Sequence, residues 1–155
     1  MPALLIRLVA PHEVPAVAAL RLEHEEGGAS AERMTRYLVG EHHPQMALAP
    51  RGIWAADVDG TLIAFIAGHL TCRLGCDGEL QWLYVISAHR RRGIASQLLH
   101  RLAAWFADSG AHRVCVNASD PTARLFYGRH GATEHDAQWM VWADLLQSVR
   151  ADAGT

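Results

Sequence analysis

The stretch Glu79-Leu-Gln-Trp-Leu-Tyr-Val-Ile-Ser-Ala-His-Arg-Arg-Arg-Gly-Ile-Ala-Ser96 decides the fold. Glu79 to Val85 has the apolar, β-rich character of a buried strand, Ile86 to His89 is a short connection, and Arg90 to Ser96 opens a helix. Ile94, Leu98, Leu102, Trp105 and Phe106 then share one helical stripe up to Gly110, which is placed to cap the C-terminal end. A strand feeding a glycine turn at a helix N-terminus builds an anion site. Free backbone amides converge there, the helix dipole adds partial positive charge, and Gly93 lets a ligand approach the main chain. The arginines add screening of phosphate charge, so the expected ligand is a phosphate or pyrophosphate. Neither the Gly-x-Gly-x-x-Gly of dinucleotide folds nor the Gly-Lys of a P-loop is present. The competing reading is a solvated cluster of three arginines. Against it, cations at a helix N-terminus oppose the dipole unless an anion is recruited.

Upstream, Leu4 to Val9 reads as a strand, and Pro11 with Val14, Val17, Ala18 and Leu22 reads as a helix. Gly27-Gly28 breaks the pattern, Ser30 is placed as the N-cap of a second helix to Gly40, and His42-His43-Pro44 closes it. Strands follow at Ile53 to Val58, Leu62 to Leu70 and Glu79 to Ile86, joined by turns at Asp57–Gly60 and Arg73–Gly78, so the centre of the fold is an antiparallel meander. Downstream lie a strand at His112 to Val116, a helix opened by Asp120-Pro121 and closed by Gly131, and a last strand at Trp139 to Ala143. A short extra strand fits Ala132 to His135, and Arg150 to Thr155 is expected to fray. The order β-α-α-β-β-β-α-β-α-β gives an α/β fold, a mixed sheet covered by helices.

Composition sets the outer limits. At 155 residues and 17.0 kDa the chain is one domain, residues 1–155 with a core over about 4–144, and needs neither disulfides nor metal to be stable. A formal charge of −2 gives no overall basic field, so neither nucleic acid nor a membrane is the expected partner; a nucleic-acid role for Arg90 to Arg92 would make affinity fall steeply with salt. All 14 basic residues are arginine, which excludes Schiff-base and Walker A lysine chemistry and fits the coding bias of a GC-rich, bacterial genome. No leader-like segment and no apolar run of about 18 residues appear, and three cysteines form no even framework. The expectation is a soluble, cytoplasmic protein.

Two segments carry a resemblance. Arg90-Arg91-Arg92-Gly93-Ile94-Ala95 matches the pattern Gln/Arg-x-x-Gly-x-Gly/Ala, and Ala123-Arg-Leu-Phe-Tyr-Gly-Arg-His-Gly131 looks like a helix end Ala-x-x-x-Tyr-x-x-x-Gly-Phe. With the element order, they make residues 4 to 144 resemble the Gcn5-related N-acetyltransferases. That resemblance implies acetyl-CoA as co-substrate and a primary amine as acceptor, attacking the thioester directly in a ternary complex. It implies that Leu83 and Val85 pair through their backbone with the pantetheine arm. Amides of Arg91, Gly93, Ala95 and Ser96, within the Arg90, Arg92 and Ile94 frame, would hold the pyrophosphate, with the Ser96 hydroxyl joining them. Tyr127 would protonate the leaving thiolate, a fitting role for a phenol with an ordinary pKa near 10.

A base is also required. The resemblance makes Glu79 the first candidate, since it lies six residues before Val85, where some members of the family carry a catalytic Glu on this strand, although it reads equally as an exposed strand-start residue beside Gly78. His24, Glu25, Glu26 and His69 follow, and that acidic cluster suits a cationic amine. Two departures stand out: Gly131-Ala132 replaces Gly-Phe, and Asp120 replaces a common Asn, keeping the cap but repelling phosphate, so Asn117 is the weaker candidate for a polar contact. A non-catalytic acyl-CoA-binding regulatory module is the alternative, and the resemblance admits a homodimer.

Other constellations are weaker. His69, Cys72 and Cys76 lack a fourth metal ligand, so no metal is expected. Cys115 reads as a small buried hydrophobe rather than a nucleophile paired with His112. The five tryptophans read as core, with Trp82 or Trp139 able to wall a substrate pocket.

Overall fold

The computed structural model describes residues 3–24, 36–37 and 46–153. Strand β1 (Leu4–Leu8) leads through a short 3-10 turn into α1 (Val14–His24). A meander follows: β2 (Ala47–Val58), β3 (Thr61–Thr71) and β4 (Gly78–Val85). Then come α2 (Ile94–Asp108), β5 (Val114–Asn117), α3 (Pro121–Arg129), β6 (Thr133–Glu134), β7 (Trp139–Trp142) and α4 (Leu145–Ala153). The strands form one seven-stranded sheet in the order β1-β2-β3-β4-β5-β7-β6, antiparallel at every junction except the parallel pairing of β4 with β5. The β2–β3 loop is Asp59-Gly60, both with positive φ (52° and 85°), as a tight hairpin requires; Asp57 Oδ1 accepts the Gly60 N–H at 2.6 Å.

Each face of the sheet has its own core. Val14, Val17 and Leu20 of α1 pack with Ile53, Ala55, Phe65, Ala67 and Tyr84 on one face. The other face carries Leu98, Leu102 and Phe106 of α2, Tyr127 of α3, and Leu145 and Val149 of α4, over Trp54, Ile66, Leu80, Val85, Val116 and Trp142. A β-bulge decides which side chains of β4 join which core. Ala67 stands opposite Trp82 and Gly68 opposite Leu80, so Gln81 is the extra residue. Glu79, Trp82 and Tyr84 therefore face the α1 side, while Leu80, Leu83 and Val85 face α2.

Helix α2 lies close to the sheet because two glycines floor its seat. A Cβ at Gly78 would fall 2.5 Å from the Phe106 ring, and one at Gly68 would fall 3.0 Å from Leu102, Phe106 and the Glu79 carbonyl. At the far edge, Arg7 ties β1 to the first turn and to β2, reaching Glu13 at 2.6 Å and Asp57 at 3.2 Å, while Glu13 Oε1 also accepts the Ala10 N–H.

Three expectations need correction or placing. Residues 150–153 do not fray; they complete α4. Asp144 caps that helix by accepting the Gln147 N–H at 3.1 Å, and Leu145 and Val149, one turn apart, are both wholly buried. Strand β2 starts at Ala47 rather than Ile53, and its register is irregular between Leu48 and Arg51, where Pro50 withholds a ladder N–H. The proposed helix from Ser30 to Gly40 lies outside the described residues except for helical Arg36 and Tyr37, as do Glu25 and Glu26.

Two measurements test this packing. Gly78→Ala should lower stability by about 1–3 kcal/mol in urea unfolding, with partial recovery in Gly78→Ala/Phe106→Leu because the clash is with the ring. The Arg7 contacts hold the Glu13 carboxyl at about 2, below its ordinary 4.5. That contribution is complete above about pH 4.5 and is lost as pH falls toward 2, so Glu13→Gln should flatten this part of the acid-unfolding curve.

Candidate functional site

Strands β4 and β5 pair over only three positions, Gly78 with Val114, Glu79 with Cys115 and Leu80 with Val116. Beyond them β4 stays with β3 as far as Val85, whereas β5 stays with β7 and ends at exposed Asn117. The two strands part, and the edge of β4 from Gln81 onward has no strand partner among the described residues. The direction of its peptide groups follows from one bond. Ile86 N–H donates to the Ile63 carbonyl at 2.9 Å while Val85 stands opposite Ala64, which makes Val85–Ala64 a non-hydrogen-bonded pair. The main-chain groups of Val85, and by the two-residue period those of Leu83, point away from β3 into the opening. Of these, the Val85 carbonyl accepts the Arg90 Nε–H at 2.8 Å, and the Arg90 guanidinium lies 5.6 Å from the centre of the Tyr84 ring.

At the end of this edge the chain turns into α2. Arg91 (φ 64°) and Gly93 (φ 79°) both take left-handed backbone, and Gly93 is the N-cap. The first helical bond runs from Gln97 N–H to the Gly93 carbonyl at 3.1 Å, so the amides of Ile94, Ala95 and Ser96 precede it. Ile94 is buried and anchors the turn, while Arg91, Arg92 and Gly93 are exposed. A Cβ on Gly93 would meet nothing within 4 Å, and the first turn carries no acidic residue. The Ser96 hydroxyl lies 3.0 Å from His130 Nε2, linking this turn to the end of α3. Amides, dipole and open space together make a turn that can cradle an anion.

Helix α3 brings Tyr127 to the same face. Asp120 caps it by accepting the Ala123 N–H at 3.0 Å, with Pro121 in its first turn. Tyr127 is buried edge-on against Trp142, with ring centres 5.5 Å apart, and burial raises its phenol above the ordinary value, so it stays protonated at neutral pH. Ala132, where the resembled pattern has Phe, is buried in this same core.

Glu79 lies on the opposite face. It is buried at 4% exposure, which removes the reading as an exposed strand-start residue. Its Oε1 accepts the Arg73 Nε–H at 2.9 Å and faces His69 Nε2 at 3.7 Å. His69 Nδ1 is bonded to the Tyr37 hydroxyl at 2.9 Å. Tyr37 packs edge-on against Trp82, and the Arg73 guanidinium lies over Trp139. Trp82 and Trp139 are half-buried, whereas Trp54 and Trp142 are core. Sequence reasoning passed over Tyr37 and Arg73. Arg73 reads as a turn residue, and only the fold of the β3–β4 connection returns it to Glu79.

The remaining candidates lie elsewhere. His24 closes α1. Cys76 and Cys115 share a small buried cluster with Val141, and burial raises both thiols, away from nucleophilic use; His112 is exposed. Among the described residues no three His, Cys, Asp or Glu side chains are grouped to hold a metal ion.

The sequence model described as the acetyltransferase (GNAT) family matches residues 17–132. No curated protein sequence matches the chain. Solved structures do. A GNAT family N-acetyltransferase of Escherichia coli in complex with CoA is similar at 20% identity and TM-score 0.72, over 96% of this chain and 85% of that one. An acetyltransferase from Thermus thermophilus is similar at 19% identity and TM-score 0.69, over 90% and 96%. An N-acetyltransferase from Thermoplasma acidophilum in complex with coenzyme A is similar at 17% identity and TM-score 0.63, over 90% and 96%.

The site depends on Arg124, which donates to the carbonyls of Ala118 (2.7 Å), Asp136 (2.9 Å) and Ala137 (3.1 Å), pinning the end of β5 and the β6–β7 loop to α3. Arg124→Met should cost about 2–3 kcal/mol in urea unfolding, and Arg124→Lys should recover part of it.

Proposed function

Because the chain belongs to the GNAT acetyltransferase family, we propose that it moves the acetyl group of acetyl-CoA onto a primary amine by direct attack in a ternary complex. The observation that carries this reading is the parting of β4 from β5 at the mouth of the anion cradle. The pyrophosphate would lie against amides of Arg91, Gly93, Ala95 and Ser96, with the Ser96 hydroxyl beside them and Asn117 across the opening. The amide-containing arm would run along Leu83 and Val85 as an added strand. Solved neighbours in complex with CoA support the choice of donor.

In the reaction, the amine first gives up a proton, then its nitrogen bonds to the thioester carbonyl carbon. An amide of Leu83 or Val85 meets the oxygen as it gains charge, a preorganised donor of the kind that supplies a large share of many enzymic rates. The C–S bond breaks, Tyr127 gives its proton to the thiolate, and the nitrogen's remaining extra proton returns to the phenolate through water, leaving amide and free thiol. Glu79 takes the amine proton through water. Arg73 and His69 both address Oε1. Glu79 and Tyr127 sit on opposite faces of the sheet, which suits an acceptor and a donor arriving from opposite sides of one opening. We place the reaction in the cytoplasm, in keeping with three free cysteines.

Calorimetric titration of acetyl-CoA should give binding in the wild type and none in a folded Gly93→Asp variant, whose carboxylate would stand where the pyrophosphate approaches. No binding to folded wild type would sink the proposal. With an amine found by screening, Glu79→Gln and Tyr127→Phe should each lower kcat by about 10²–10⁴. Acetyl-CoA binding with no turnover on any amine would instead identify an acyl-CoA-binding module.

A further inference from the structure

Arg90 opens the segment resembling the phosphate-binding pattern, yet its side chain does not follow the chain into the helix start. The residue is extended (φ −70°, ψ 159°), and its Nε–H turns back to the Val85 carbonyl at 2.8 Å. The guanidinium lies over the Tyr84 ring, centre to centroid 5.6 Å. Electrostatics favour this direction. A cation is repelled by the positive end of the α2 dipole and attracted by a carbonyl oxygen and a ring face. All three arginines are exposed, but Arg91 and Arg92 stand beside the N-cap.

The Val85 carbonyl is one of four main-chain groups that Leu83 and Val85 turn toward the opening. With it occupied by Arg90, three remain: the Leu83 N–H, the Leu83 carbonyl and the Val85 N–H. We propose that Arg90 is a positioning residue which acts through Val85, not a cation that binds the ligand's phosphates. It engages one acceptor, leaving the Leu83 carbonyl the better of the two, and ties the end of β4 to the cradle, so that an extended, amide-bearing arm favours a single register, with its donor at the Leu83 carbonyl. This rests on the reading of the opening as the acetyl-CoA site. A second register, donating to Val85, would misplace the thioester by a two-residue strand repeat, about 6–7 Å, relative to the amides that meet its oxygen.

Substitutions separate the two roles because Gln keeps an N–H donor without charge, whereas Met keeps length without either. Acetyl-CoA affinity would be measured by calorimetry at two salt concentrations for wild type, Arg90→Gln and Arg90→Met. Backbone carbonyl 13C shifts of the ligand-free proteins would be recorded alongside. The expected result is Arg90→Gln within about threefold of wild type, Arg90→Met weaker by about tenfold, and all three with the same salt dependence. The Val85 carbonyl shift should move in Arg90→Met and stay near its wild-type value in Arg90→Gln. Equal losses in both variants with a shallower salt dependence would overturn the inference in favour of a phosphate-binding cation. Undiminished binding by Arg90→Met would overturn it outright. An unmoved Val85 carbonyl in Arg90→Met would remove the geometry beneath it, whatever the binding result. Failure of wild type itself to bind acetyl-CoA would defeat the underlying reading, an outcome the carbonyl shifts distinguish because they need no ligand.

Discussion

Three parallel residue pairs join the halves of the sheet, Gly78 to Leu80 against Val114 to Val116, and the rest of the molecule is organised by their stopping there. β4 has a strong partner in β3 through Val85, and β5 has one in β7 through Asn117. Each half keeps its own hydrogen-bond ladder while the junction between them opens, so the peptide groups of Leu83 and Val85 are turned out without unravelling either half. An edge of this kind, ending at the N-terminus of a buried helix, has the free peptide groups to pair with an extended ligand and the amides to seat its charge, as proposed above.

The bulge at Gln81 works with that opening. A regular strand would put Leu80 and Leu83 on opposite faces; the extra residue returns both to the α2 core and turns Glu79, Trp82 and Tyr84 to the other side. The same insertion brings Leu83 and Val85 into the phase that faces their amides away from β3. One residue thus sets the side-chain partition of β4 and the chemistry of its free edge together. The carboxylate with its Arg73 and His69 partners and the phenol against Trp142 come to lie on opposite faces of the sheet.

Local pattern exposed much of this architecture. Asp59-Gly60 announced its hairpin because few residues adopt two successive left-handed conformations, and the stripe from Ile94 to Phe106 announced α2 because five apolar residues repeat at helical spacing. Helix α4 escaped because its buried anchors, Leu145 and Val149, are only two and span a single turn. The start of β2 escaped because Pro50 and Gly52 lower strand propensity where neighbouring strands supply the stability.

The chemistry divides along the same line. The sequence alone determined the strand, glycine turn and helix start proposed as the cradle, since they are contiguous and their amides converge through local geometry at Gly93. Tyr127 and Glu79 became candidates through the resemblance that its two motifs carry. Only the tertiary structure decided what surrounds them. Tyr37, His69, Arg73 and Glu79 are scattered over 43 positions and meet because β3 and β4 fold back on each other. The backward turn of Arg90, the burial of Glu79 and the phase of the free peptide edge depend on a bulge, a register and a neighbouring strand's departure. Each of these is a relation between segments distant in the chain, which no local spacing encodes.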